Sequence, residues 1–170
     1  MTSLAPCTGA AERGGRRVRP FTQADLNAYD ALLESLAPAD VRLRFHSATI
    51  PSPAQVREML FGPAALGGVL AESLAGELLG VAHAARERSE RRGEFGILVA
   101  APYRRNGLGG ALTDALLWHI AAHGTTEVVA YTAWENLAAA ALLRSRGFAG
   151  KHDGGGTMRW VLAIPGSRAS

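Results

Sequence analysis

The segment Val99-Ala-Ala-Pro-Tyr-Arg-Arg-Asn-Gly-Leu-Gly-Gly-Ala-Leu112 constrains the fold more than any other part of the chain. It reads as the end of a buried strand, a glycine-rich turn and the first residues of a helix. Glycines at 107, 109 and 110 let backbone amides approach a ligand without interference from a Cβ. A helix opening just after them supplies unpaired N–H groups and the positive end of its dipole. That combination binds anions, phosphates above all.

The spacing separates the kinds of phosphate loop. A Walker loop needs lysine and then Ser or Thr after its last glycine, and here Ala111 and Leu112 follow Gly110. A G-x-G-x-x-G dinucleotide fingerprint needs glycine at 112, which is Leu112. The spacing present is Arg104-x-x-Gly107-x-Gly109. With it the chain resembles the GNAT superfamily of acyl-CoA-dependent N-acetyltransferases, whose pyrophosphate loop is written Gln/Arg-x-x-Gly-x-Gly/Ala. A second segment, Asn136-Leu-Ala-Ala139-Ala-Ala-Leu142-Leu-Arg-Ser-Arg-Gly147-Phe148, is similar to that family's downstream motif, Asn-x-x-Ala-x-x-Leu-x-x-x-x-Gly-Phe. Read on its own, it is a helix capped by Asn136, with Leu137, Ala140, Ala141 and Arg144 at helical spacing and Gly147 as terminator.

The remaining periodicities predict strands over 16–21, 69–72, 77–85, 93–99, 126–132 and 158–164. They predict a helix after Thr22-Gln-Ala-Asp25, carrying Leu26, Tyr29, Leu32, Leu33 and Leu36 on one face. Ser52-Pro-Ala-Gln55 opens a second, with Val56, Met59 and Leu60. Leu108, Leu112, Ala115, Leu116 and Ile120 stripe the helix after the glycines, and 136–146 form the last one. This order fits an α/β (α+β) chain with the GNAT fold: a mixed, mostly antiparallel sheet with helices on both faces.

At 170 residues one domain is expected, over 16–165. Residues 1–15 are small, polar and glycine-rich and read as a disordered tail, and 166–170 as a C-terminal tail. Cys7 is the only cysteine, no apolar run approaches the ~18 residues of a membrane span, and no signal-peptide core is visible. A cytoplasmic protein with no membrane partner is expected. The net charge is +3, and arginines cluster at 13, 16, 17 and 19 and at 86, 88, 91 and 92. Without interleaved aromatics or helix-turn-helix or metal-finger spacing, they predict a solvated or acid-facing surface rather than a nucleic-acid site. His119 and His123, four apart on a helix, lack an evident third ligand, so no metal is expected.

Acetyl transfer to an amine calls for a base, because a lysine-type amine with pKa near ~10.4 is almost wholly protonated at neutral pH. Alternation puts Glu94, Gly96 and Leu98 on one face of the 93–99 strand, and Phe95, Ile97 and Val99 on the other. From spacing alone Glu94 is either that base or a strand-end carboxylate paired with Arg91 or Arg92. His83 either lines the cleft or packs in the core.

A finer resemblance bears on the choice. Arg42-Leu-Arg44-Phe45-His46-Ser47, followed by Ser52-Pro53, looks like the segment before the acetyl-CoA domain of bacterial protein lysine acetyltransferases that modify acyl-CoA synthetases. Glu94-Phe95-Gly-Ile-Leu-Val99 matches their Glu-Phe-x-x-x-Val strand. Together the resemblances cover roughly residues 16–150. They imply Glu94 as general base and acetyl-CoA as cosubstrate. They imply a pyrophosphate loop of Arg104, Arg105, Asn106, Gly107, Leu108, Gly109 and Gly110. Ile97, Leu98 and Val99 would pair with the pantetheine arm, supported by Asn136. The implied acceptor is a lysine ε-amine of a protein, an acyl-CoA synthetase, and the enzyme a monomer or homodimer. The alternatives are an N-acetyltransferase of a small amine (polyamine, amino sugar or amino acid) and a non-catalytic CoA-binding module. One residue departs from the family: many members carry tyrosine as thiolate acid where this chain has Leu143.

Overall fold

Among the described residues eight strands form one sheet, in the spatial order 11–13, 16–20, 65–73, 78–86, 92–99, 127–133, 157–163 and 149–154. The protein is described by a computed structural model over residues 11–13, 15–45, 49–87 and 91–164. The strands are β1 (Ala11–Arg13), β2 (Arg16–Pro20), β3 (Ala65–Ser73), β4 (Leu78–Arg86), β5 (Arg92–Val99), β6 (Glu127–Ala133), β7 (Ala149–Gly154) and β8 (Thr157–Ala163). The helices are α1 (Leu26–Glu34), α2 (Pro38–Phe45), α3 (Pro53–Phe61), α4 (Leu108–Ala122) and α5 (Leu137–Ser145). All neighbours in the sheet are antiparallel except β5 and β6.

The sheet separates two cores. On one face Leu112, Leu116 and Ile120 of α4 and Leu143 of α5 pack on Ala82, Phe95, Val128 and Trp160. On the other, Tyr29 and Leu33 of α1 and Val56 and Leu60 of α3 pack on Leu70, Val81 and Leu98. The alternation expected along β5 therefore holds, with Leu98 in one core and Phe95 in the other, and no bulge interrupts its register with β4.

Local chemistry explains the starts. Ser52 accepts from the Gln55 amide at 3.3 Å while its own amide donates to Gln55 Oε1 at 2.8 Å, so the expected capping box opens α3. Arg19 of β2 donates to both carboxylate oxygens of Asp25, at 2.9 and 2.7 Å, and to Glu72 of β3 at 2.8 Å, which ties the turn before α1 to the sheet.

Three elements differ from expectation. Ala11–Arg13 pair with β2 as a strand, where composition predicted tail; a turn through Gly15 at φ +76° reverses the chain and backbone pairing needs no apolar pattern. The rest of that expected tail, 1–10 and 14, and 166–170 at the other end, lie outside the described residues. Helix α2 was not anticipated: only Val41 of its residues is buried, so it carries almost no apolar stripe. Strand β7 was missed because all six of its residues are exposed; it pairs through its backbone with β8 at the edge of the sheet, beside α5. No helix among the described residues is long and apolar enough to cross a membrane.

Candidate active site

Strands β5 and β6 run parallel for only three residue pairs, Arg92↔Glu127, Gly93↔Val128 and Glu94↔Val129. Both then continue, to Val99 and Ala133, without pairing to each other. A wedge opens in the sheet just past Glu94. The Ala100 amide donates to the Leu79 carbonyl at 2.9 Å. Alternation along the ladder from there turns the N–H and C=O of Leu98 toward β4 and those of Ile97 and Val99 into the wedge. An extended ligand could add to this edge through Ile97 and Val99, with Leu98 contributing only its side of the strand.

The loop from Ala100 to Gly107 closes the wide end of the wedge. Arg105 (φ +62°) and Gly107 (φ +83°) both take left-handed conformations, which turns successive amides the same way. Gly107 caps α4, and the space where its Cβ would stand is empty to 4 Å. The amides of Leu108, Gly109 and Gly110 form the first turn; Asn106 Oδ1 accepts from Leu108 N at 3.4 Å. An anion-binding cradle thus lies at the positive end of a 15-residue helix. These features fit the pyrophosphate and pantetheine arm of a CoA thioester.

The arginines near the loop divide by role. Arg104 donates through Nε to the Val99 carbonyl at 2.9 Å and pairs with Asp40 of α2 at 2.9 Å, so it shapes the loop. Arg105 is exposed and has no ion-pair partner among the described residues, leaving its charge available to a phosphate. Arg146 pairs with Asp114 at 2.9 Å, and its guanidinium fills the place of a Gly110 Cβ. A side chain at Gly110 would displace the Arg146 guanidinium from this ion pair.

Asn136 caps α5 by accepting from the Ala139 amide at 3.1 Å. Leu143 is 2 % exposed and part of the core under α5, so nothing at that position can give a proton to a thiolate.

Glu94 is exposed and stands at the apex of the wedge, on the face covered by α1 to α3. Arg92 pairs with Glu127, and with Glu87 at 3.7 Å. On the same face Arg44 of α2 lies over Gly96, and its Nη2 donates to His83 Nε2 at 2.6 Å. His83 is 7 % exposed, and burial, reinforced by the neighbouring guanidinium, pushes its pKa down to about 3. It is therefore neutral, and neither simply core nor simply cleft: its ring is a buried acceptor for Arg44. Sequence reading did not find this pair, because Arg44 and His83 lie 39 residues apart, one on a helix with almost no apolar signature and the other on β4. His46 lies outside the described residues. His119 and His123 stack at 4.7 Å, and among the described residues no group of three or more His, Cys, Asp or Glu could hold a metal.

Comparison with known proteins agrees with this geometry. The model of the acetyltransferase (GNAT) family matches residues 31–148. No curated protein sequence matches the chain. Among solved structures, the GNAT domain of S. lividans PAT superposes with TM-score 0.76 at 17 % identity, covering 88 % of this chain and 90 % of that one. A phosphinothricin acetyltransferase from Sinorhizobium meliloti, in complex with AcCoA, gives 0.73 at 21 % identity and 92 % of both chains. A spermidine N-acetyltransferase from Vibrio cholerae, in complex with CoA and spermine, gives 0.71 at 16 % identity, 89 % of this chain and 96 % of that one. With two thirds of its length matched by the family model, and a sheet that splits between β5 and β6, the chain belongs to the GNAT family of acetyl-CoA-dependent acetyltransferases.

Proposed function

We propose that the protein transfers the acetyl group of acetyl-CoA to the primary amine of a small molecule, with Glu94 as general base. The observation that carries the acceptor class is the placement of α2. It packs on both β5 and β6 where they part, and is held there by Asp40–Arg104 and Arg44–His83. A helix roofing the acceptor side suits a small amine better than a lysine on a folded protein. Two of the similar structures, by their names, act on small molecules, phosphinothricin and spermidine.

The thioester supplies an activated acetyl group; the chain supplies position and proton traffic. Amides of Arg105 to Gly110 hold the pyrophosphate, and the Ile97 and Val99 edge holds the arm extended toward Glu94. The Glu94 carboxylate takes the proton of the incoming ammonium, directly or through a water, and so raises the fraction of nucleophilic amine. The thiolate leaves without a tyrosine acid, which a thiol of pKa near ~8.5 tolerates, and takes its proton from solvent.

The reading first implied by residues 42–47, a protein lysine of an acyl-CoA synthetase, keeps one supporting feature, the exposed Arg42. Its second basic residue, Arg44, is turned inward onto His83 and offers little to a docking partner. The purified protein, labelled acetyl-CoA and a cell extract separate the readings. Label in small amines is expected. Label confined to protein lysines would restore the lysine reading, and CoA binding with no acetylation of any kind would reduce the protein to a CoA-binding module.

A further inference from the structure

Among the described residues Arg44 is a half-buried cation with no carboxylate paired to it, and its hydrogen bond to His83 goes to a neutral ring. Arginine only donates, so the bonded Nε2 of His83 accepts and the ring proton sits on Nδ1. That Nδ1 is buried without a partner, and so is Nε of Arg44 itself. The hydroxyl of Tyr29, fully buried beside Arg44, also lacks a partner; burial raises its pKa, so it keeps its proton. Unused donors on α1 and α2 thus lie at the guanidinium, with a third on the far side of the His83 ring, on the face of the sheet that carries Glu94.

Buried polar groups in native proteins are nearly always satisfied, and a half-buried guanidinium with no counterion has lost part of its hydration with no charge to replace it. Water can serve a hydroxyl or a ring nitrogen, but it cannot neutralise a guanidinium. What the cluster lacks is an anion with several acceptor sites, and a carboxylate has that valence and the planar shape that matches arginine. The position names the source. Arg44 lies over Gly96, two residues along β5 from Glu94 on the same face, about 7 Å of strand. Within that span one molecule can present its amine to Glu94 and an anion to Arg44.

We propose that Arg44, seated over Gly96 and steadied by His83, binds the carboxylate of the acceptor, so that the acceptor is an amino acid or a related amine with a carboxylate a few bonds from its nitrogen. The assignment rests on the small-amine reading and narrows it. Gly96 is part of the device: a Cβ there would stand 2.5 Å from Arg44 Nη2, so only glycine leaves the guanidinium its seat.

The test is acetylation of the twenty common amino acids, each beside its carboxamide and its decarboxylated amine. At least one acid is expected to exceed its own carboxamide in kcat/KM by about 10²-fold, the upper range for hydrogen bonding to a charged group. In Arg44→Gln that ratio should fall toward one, mainly through KM for the acid, with acetyl-CoA KM unmoved. Gly96→Ala keeps the charge but unseats it, and should lower the same ratio even if Arg44→Gln proves poorly folded. Equal turnover of acids and carboxamides, or of amines without any carboxylate, overturns the Arg44 assignment and leaves the small-amine reading intact. Label found only in proteins overturns both.

Discussion

Asp40 of α2 accepts a hydrogen bond from Arg104 of the loop before α4 at 2.9 Å, across 64 residues of sequence. Because Arg104 also donates to the Val99 carbonyl, one side chain joins the roof of the acceptor side to the floor of the cofactor side. The pair is part-exposed, at 37 % and 22 % of the two side chains. Pairs of this kind contribute about 0–1 kcal/mol to stability, so the value of this one lies in position.

Arg104→Ala should therefore lower stability by less than ~1 kcal/mol yet raise KM for both acetyl-CoA and acceptor. Denaturant unfolding and two-substrate kinetics check it. A change confined to acetyl-CoA would show that Arg104 acts as a simple cation and that α2 is not coupled to the loop.

The glycines of the loop should respond unequally. At Gly107 (φ +83°) a side chain costs ~1–2 kcal/mol of backbone strain and fills the open space before α4. Gly107→Val is expected to lose at least tenfold in acetyl-CoA affinity by calorimetry. A Cβ at Gly109 would stand 3.4 Å from Leu142 Cδ2, close but tolerable, so Gly109→Ala should bind near normally. Equal affinity for all three proteins would remove the pyrophosphate from this loop.

Asn136→Ala removes the acceptor for the Ala139 amide and should cost about 1 kcal/mol, with Asn136→Asp recovering most of it. Thermal denaturation measures this. If acetyl-CoA KM also rises in the alanine variant but not in the aspartate one, the cap and the cofactor share one cause: the placement of α5.

How much of this was legible in the sequence depends on what each element uses to hold itself. Helices α3, α4 and α5 and strands β3 to β6 were readable because cap residues and apolar periodicity agree with the tertiary packing, as at Ser52 and along Leu112, Leu116 and Ile120. The glycine turn before α4 was readable because Gly107 sits at φ +83°, a conformation that favours glycine. Strand β7 and helix α2 were not, since an all-exposed strand and a helix with one buried residue leave no pattern. The site inherited that gap. Glu94 could be placed on a face by counting, but the wedge that makes its position matter comes from β5 and β6 parting, which no residue pattern announces. Arg44 entered the sequence reading only through the resemblance of 42–47, because its partner His83 is brought to it by the fold alone.

The Arg19–Asp25–Glu72 network gives a pH dependence of stability. Hydrogen bonds from Arg19, joined by those from Thr22, hold Asp25 down to a pKa of about 2, below its ordinary carboxylate value. A depressed folded pKa means the contribution is complete above the unfolded pKa, near ~3.9, and is lost as pH falls from there toward about 2. Asp25→Asn should lower stability at pH 7, and the gap from wild type should narrow across that acid window. Urea midpoints at pH 7, 4 and 2.5 follow it, and a gap that stays constant would assign Asp25 no linked role.

Glu94 is exposed at the apex of the wedge, where the last β5–β6 pair, Glu94↔Val129, gives way to the unpaired edge. If it removes the ammonium proton, Glu94→Gln should lower kcat by roughly 10²–10⁴-fold, or about 3–5 kcal/mol of barrier. Glutamine keeps the size of the side chain and one acceptor oxygen while removing the charge, so acetyl-CoA affinity should stay near wild type. Raising the pH should partly rescue the variant, because more of the amine is then neutral without help. The rescue is the discriminating measurement. A glutamate serving only to brace the strand end would show up as a lower melting temperature, with a pH–rate profile parallel to wild type. Turnover within about threefold of wild type at neutral pH, with chemistry shown to limit the rate, would take Glu94 out of the reaction and leave deprotonation to solvent.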